Sequence, residues 1–208
     1  ISVVMQETRF DLQQDHDVME QLTAVDPSVA GMVRYTGRCG CHPIWDNTNV
    51  TYLPSGEEKL TALLAALEQA KHFIFLEYFI IEEGLMWGQV LEILADKAQS
   101  GVEVRVMIDG TCEFTTLSHD YPQKLEKLGI KCKYFAPATP FVSTHYNYRD
   151  HRKIVVIDGR IGFTGGINLA DEYINAYVKH GHWKDTAVRI EGEAVKNLSA
   201  LFISLWNM

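Results

Sequence analysis

His151 and Lys153 stand two residues apart at the head of an apolar run, Ile154-Val155-Val156-Ile157, which closes on Asp158-Gly159. In a β-strand, residues i and i+2 project from the same face, so an imidazole and an ammonium would share one side of a sheet. That pairing suits displacement at phosphorus. An imidazole near neutral pH is partly unprotonated and nucleophilic, and a lysine beside it can neutralise phosphoryl oxygens as charge builds in the transition state. Gly165-Gly166-Ile167-Asn168 follows within a dozen residues. The two glycines would let a phosphate approach the backbone closely, and the Asn168 amide can donate to the same oxygens. Asp158 completes an H-x-K-x4-D pattern. With Gly159 it also makes a two-residue hairpin turn, a position from which its carboxylate is expected to bond turn amides or nearby cations. Taken singly, Lys153 reads equally well as a strand-edge charge, and Asn168 as a helix N-cap before Leu169.

Strands and helices must alternate to position these groups. Ser55 caps a helix with Glu58 at the capping-box position, and Leu60, Leu63, Leu64, Leu67 and Ala70 supply its apolar stripe. Strands are predicted at 73–81, 102–108, 131–135 and 186–190, together with the two motif strands. Helices are predicted at 87–99, from Pro122 to Gly129, along 169–177 and from Ala194. This order implies an α/β sandwich around a mixed sheet. Residues 1–35 show loose helical periodicity through Val18, Met19, Leu22 and Val25, and residues 36–50 form a turn-rich connector. The chain therefore divides into a helical extension with connector, 1–50, and a main domain, 51–208.

At 208 residues and 47% hydrophobic, the chain can bury a full core as one domain. Its net charge of −8 argues against a general polyanion binder, since nonspecific nucleic-acid affinity comes from Lys and Arg neutralising phosphates. Arg149, His151, Arg152, Lys153 and Arg160 nevertheless gather around the motif, giving a locally cationic site on an acidic body. No apolar run approaches the roughly 18 residues of a membrane span. Cys39-Gly-Cys41 does not have zinc-pair spacing, and free thiols are expected.

The H-x-K-x4-D and G-G-x-N patterns resemble the phospholipase D superfamily signature. Segments 76–81, 101–106, 149–158, 162–173 and Trp183-Lys-Asp-Thr186 are similar, in order, to the first catalytic half of a bacterial cardiolipin synthase. The resemblance implies a phospholipase D-like α/β/α sandwich and a phosphatidyltransferase using a phosphohistidine on His151. It implies Asp185 as the acid that orients the imidazole, with Glu172 as competitor, and no metal or other cofactor. Asp150 departs from the Asn expected before the histidine. Glu77, inside an apolar strand, needs partners of its own. Tyr78, Phe79 and Tyr173 read as core, and His145, His180 and His182 as surface loop residues.

The pattern occurs once. Protonating the leaving alkoxide needs a second histidine, so the resemblance implies a partner half, in the same full-length protein or in a two-fold copy. The expected substrate is phosphatidylglycerol, one molecule donating its phosphatidyl group to another and releasing glycerol. The expected location is the cytoplasmic face of the cell membrane for the full-length protein, with this stretch a soluble piece of it and no specific nucleic-acid partner. The alternatives are a homodimeric phospholipase D-like phosphodiesterase or nuclease, and a catalytically silent phosphate-binding half.

Overall fold

A computed structural model describes residues 12–40, 42–137, 148–179 and 181–208. His145, His180 and Cys41 lie outside the described residues, as does the side chain of Cys39. Seven strands form one sheet in the order β1-β7-β6-β5-β2-β3-β4. They are β1 (Thr48–Leu53), β2 (Phe73–Tyr78), β3 (Glu103–Asp109), β4 (Lys131–Phe135), β5 (Lys153–Ile157), β6 (Ile161–Gly165) and β7 (Ala187–Gly192). The β2–β3 and β3–β4 pairs are parallel and the other four antiparallel, so the sheet is mixed.

β5 lies near the centre, and all five of its residues are buried. This is why it reads as an unbroken apolar run. On one face Leu76, Val106, Val155, Ile157 and Phe163 pack under helices α3 (Gly56–Leu67) and α4 (Leu85–Gln99). On the other, Phe75, Met107, Ile154 and Val156 meet Phe202 and Trp206 of the C-terminal helix α7 (Val195–Trp206). Phe75 stacks on Phe202 with ring centroids 4.7 Å apart. The layers are thus α/β/α. The short helices α5 (Cys112–Thr115) and α6 (Tyr121–Glu126) flank β4.

Ser55 caps α3 as its sequence predicts, accepting from the Glu58 N–H at 3.3 Å. The N-terminal region forms α1 (His16–Val25), capped by Asp15, and α2 (Pro27–Gly40). The expected connector over 36–50 is shorter than its glycines suggest: α2 runs on to Gly40, and β1 begins at Thr48. Gly31 and Gly37 meet no neighbour that a side chain would touch, so an exposed helix accommodates them. β1 is an edge strand with an exposed middle, which denied it the apolar pattern of its neighbours.

The helix expected along 169–177 is a single 3-10 turn, Asp171–Ile174. Two features shorten it. Asn175 takes φ 55° and ends the turn, and Asp171 instead caps α4, accepting from the Leu85 and Met86 N–H groups at 2.9 and 2.8 Å.

Candidate active site

Because β5 is antiparallel to β2 and β6, and β6 antiparallel to β7, one end of the sheet gathers four strand termini. They are the C-terminal end of β2, the entry to β5, the exit of β6 and the entry to β7. His151, Lys153, Asn168 and Asp185 all belong to these termini. The segment after β6 runs along the extension of β2: Ile81 bridges Leu169, and the Leu169 N–H donates to the Ile80 carbonyl at 3.2 Å.

His151 is exposed, and its ring lies 4.6 Å from that of half-buried Phe79, centroid to centroid. Lys153 is buried, sits opposite Tyr78 in the β5–β2 register, and lies with Nζ 5.2 Å from the Phe79 ring centroid. It donates to the His151 carbonyl at 2.5 Å. Burial lowers the Lys153 pKa, opposed by the charges of Asp150, Asp185 and Asp109.

Asn168 is buried and held at both ends of its amide. Oδ1 accepts from the Ile80 N–H at 3.0 Å, and Nδ2 donates to the Tyr173 hydroxyl at 2.7 Å. It is not an N-cap: Ala170 holds that position in the 3-10 turn. One amide proton remains beyond the bond to Tyr173, since an Asn NH2 carries two.

The space left by the two glycines is filled by the chain entering β7. A Cβ on Gly165, at φ 153°, would come within 2.5 Å of the Thr186 carbonyl oxygen, and one on Gly166 would collide with the Asp185 carboxylate. Asp185 is therefore seated against the Gly166 backbone, with Oδ1 accepting from the Thr186 N–H at 2.7 Å. Glu172, the expected competitor of Asp185, is buried and pairs with Lys179 at 3.2 Å.

Asp158 is not brought to this end. It lies at the opposite end of β5, with φ 51° followed by Gly159 at 64°. Its carboxylate accepts from the backbone N–H groups of Lys71, His72 and Phe73, each at 2.8 Å. Partial burial disfavours its charge, but these donors outweigh it and the pKa is lowered.

The expected cationic cluster disperses. Arg152 alternates to the other face and reaches Glu77 at 2.8 Å and Asp150 at 2.9 Å. Arg149 lies 3.7 Å from buried Asp109 and donates to the Ala136 carbonyl, and Arg160 sits exposed on the far turn. Asp150 therefore faces Arg152 and Glu77, while its N–H donates to Asp109 at 2.8 Å. The Glu77–Arg152 contact is an ion pair without hydrogen-bond alignment. Burial, then the hydrogen bond with Asp150, then its charge push the Glu77 pKa up to about 9, with Arg152 opposing.

Residues 63–206 match the family described as "Cardiolipin synthase, PLD-like domain". Over 181 residues, 86% of this chain and 36% of the relative, the sequence is 38% identical to a cardiolipin synthase of Geobacillus kaustophilus. Over 195 residues, 94% of this chain and 42% of the relative, it is 53% identical to an uncharacterised protein of Streptococcus mutans. The chain thus spans well under half the length of these relatives. The fold is similar to that of Nuc from Salmonella typhimurium, a phospholipase D family member, with a TM-score of 0.57 at 18% identity, covering 77% of this chain and 93% of Nuc. The α/β/α sandwich is accordingly the phospholipase D-like fold read from the motifs.

Proposed function

Since the chain belongs to the PLD-like domain family of cardiolipin synthases, we propose that it carries one half of a phosphatidyl-transfer site, with His151 as its nucleophile. The observation that carries this reading is the exposed His151 imidazole beside the buried Lys153 ammonium, at the sheet end where Asn168 and Asp185 also converge. A ring nitrogen of His151 attacks the phosphorus of one phosphatidylglycerol. An N–P bond forms and the P–O bond to glycerol breaks. The hydroxyl of a second phosphatidylglycerol then attacks phosphorus, forming cardiolipin and releasing the imidazole.

Lys153 and the remaining Asn168 amide proton take up charge on the phosphoryl oxygens. Asp185 holds the second ring proton of His151 so that the free nitrogen faces phosphorus. Gly165 and Gly166 serve substrate binding indirectly, by letting the Asp185 segment close on the site. Asp158 keeps the far end of β5 in place and does not meet substrate. The proton for the leaving glycerol comes from the histidine of a second such half, in the same protein or in a two-fold copy.

Residues 51–208 form the catalytic half-domain and residues 1–50 an extension, with β1 crossing their junction. Among the described residues no helix is long and apolar enough to cross a membrane. The lipid is reached at the membrane surface, on the cytoplasmic face.

The test is intact mass and 31P NMR of the native protein mixed with a phosphatidylglycerol analogue, with His151→Ala alongside. An acid-labile phosphoryl adduct on the wild type alone is expected. The same adduct on His151→Ala, or cardiolipin formed by that variant, would overturn the assignment. A second reading is a phosphodiesterase completed by a copy of itself, since the H-x-K pair occurs once in this sequence. It requires water in place of the acceptor hydroxyl, and the same spectra would show phosphatidic acid.

A further inference from the structure

The site contains a second cation from far upstream. Lys59 lies in α3 with only 2% of its surface exposed. Its ammonium donates to the Tyr78 hydroxyl and to the Ile167 carbonyl, both at 2.9 Å, and lies 4.8 Å from the Tyr78 ring centroid. Neither acceptor is charged. Taking a lysine out of water this completely disfavours its charged form, so its presence at a turn of the site calls for a reason.

Ile167 stands between Gly166, against which the Asp185 carboxylate is seated, and Asn168. The start of α3 braces the same turn from the other side. Gly56 comes so close to the Tyr173 carbonyl that no Cβ fits, and the Tyr173 hydroxyl accepts from Asn168. The titratable groups facing Lys59 are Tyr78 on β2, Lys153 on β5 and Asp185 ahead of β7. Burial lowers its pKa to about 7, the Asp185 charge opposing this and the Lys153 charge adding to it.

We propose that Lys59 is a positioning residue of the phosphatidyl-transfer site: its side-chain amine fastens the 166–168 turn through the Ile167 carbonyl and so holds in place Asn168 and the Gly166 backbone against which Asp185 is seated. This rests on the roles given above to His151 and Asn168. Lys59 does not touch the lipid. It acts through the turn that carries Asn168.

The test is the rate of His151 adduct formation in single turnover as a function of lipid concentration, for wild type, Lys59→Met and Lys59→Arg, with circular dichroism of each. For Lys59→Met the expected result is an adduct still on His151, formed about 10-fold more slowly. The lipid concentration at half-maximal rate should stay unchanged, and Lys59→Arg should restore most of the rate. Tyr78→Phe removes one acceptor of the amine while keeping the ring, and should slow the step by less. If Lys59→Met does not fold, Tyr78→Phe decides. Wild-type rates in the folded variants overturn the role of Lys59 and leave His151 as nucleophile. Absence of an adduct on wild-type His151 overturns both the underlying reading and this role.

Discussion

Two polar clusters sit back to back at the same end of the sheet, separated only by its thickness. On the α3 and α4 side are Lys153, Lys59, Tyr78 and Asn168, with Asp185 beside them. On the α7 side are Glu77, Asp150 and Asp109, with Arg149 and Arg152. Both draw on the same strands, and β5 and its entry serve them alternately: 151 and 153 to one face, 150 and 152 to the other. The first cluster has two buried ammonium groups that donate to uncharged acceptors, together with an amide proton to spare. In the second, acids and guanidinium groups are paired with one another. Unmet capacity for negative charge is what the proposed phosphodiester site requires; mutual pairing holds the strand ends of the other face together.

The most direct challenge to this contrast is to remove one cation from each face. Lys153→Met should slow His151 adduct formation by about 100- to 1000-fold, the usual cost of one preorganised donor to a developing oxyanion. Its thermal stability should hold, since a buried ammonium with a lowered pKa is also removed. Arg152→Met should do the reverse. Leaving the buried Asp150 carboxylate without its partner should cost on the order of 3 kcal/mol of stability, while the folded fraction reacts within about 10-fold of wild type. Parallel melting curves and adduct kinetics on the two variants check this. Equal losses of rate would mean that both faces serve the chemistry.

Much of the first face was legible in the sequence, and the reasons are local. H-x-K fixes a shared face through the period of two, and G-G-x-N follows it along one hairpin, so His151, Lys153 and Asn168 group together on sequence grounds. Lys59 does not, because nothing local links α3 to β5. A signal existed in its spacing: Lys59 precedes Leu63 and Ala66 at i+4 and i+7, on the buried stripe of α3. The gathering of Arg149, Arg152 and Arg160 misled for the complementary reason. Closeness in sequence along a strand alternates faces, and a turn places Arg160 at the far end. The strand expected over 73–81, which ends at Tyr78, and that over 153–157 followed from their apolar runs, whereas edge strand β1 carries no such run.

The distance from the site to Asp158 extends the contrast along β5. Asp158→Ala removes a carboxylate that accepts three backbone N–H bonds. It should cost about 2–4 kcal/mol and leave adduct formation by folded protein unchanged. The folded-state pKa of Asp158 is lowered, so its contribution is present above the unfolded carboxylate value and is lost as pH falls through the folded one. Wild type should therefore lose stability on acidification more steeply than Asp158→Ala in denaturant melts. A large rate loss in the variant would place Asp158 in the chemistry after all.

The smallest expected effect concerns the proton that Glu77 keeps on the second face. Glu77 has a pKa raised to about 9 from an ordinary 4.5. Between those values the unfolded chain has released a proton that the folded protein keeps. The contribution is thus full below the ordinary value, shrinks as pH rises and is lost above about 9, with a slope of at most about 1.4 kcal/mol per pH unit. Glu77→Gln keeps a donor for Asp150 and has no proton to lose. Its stability should stay flatter than that of wild type from pH 6 to 9, with a gain of about 1 kcal/mol at the alkaline end. Parallel curves would place the proton on Asp150 instead, and Asp150→Asn would then be the variant that flattens. In either case the rate at His151 should barely move, because the pair faces α7 and not the imidazole. A rate that followed the Glu77 titration would join the two faces into one site.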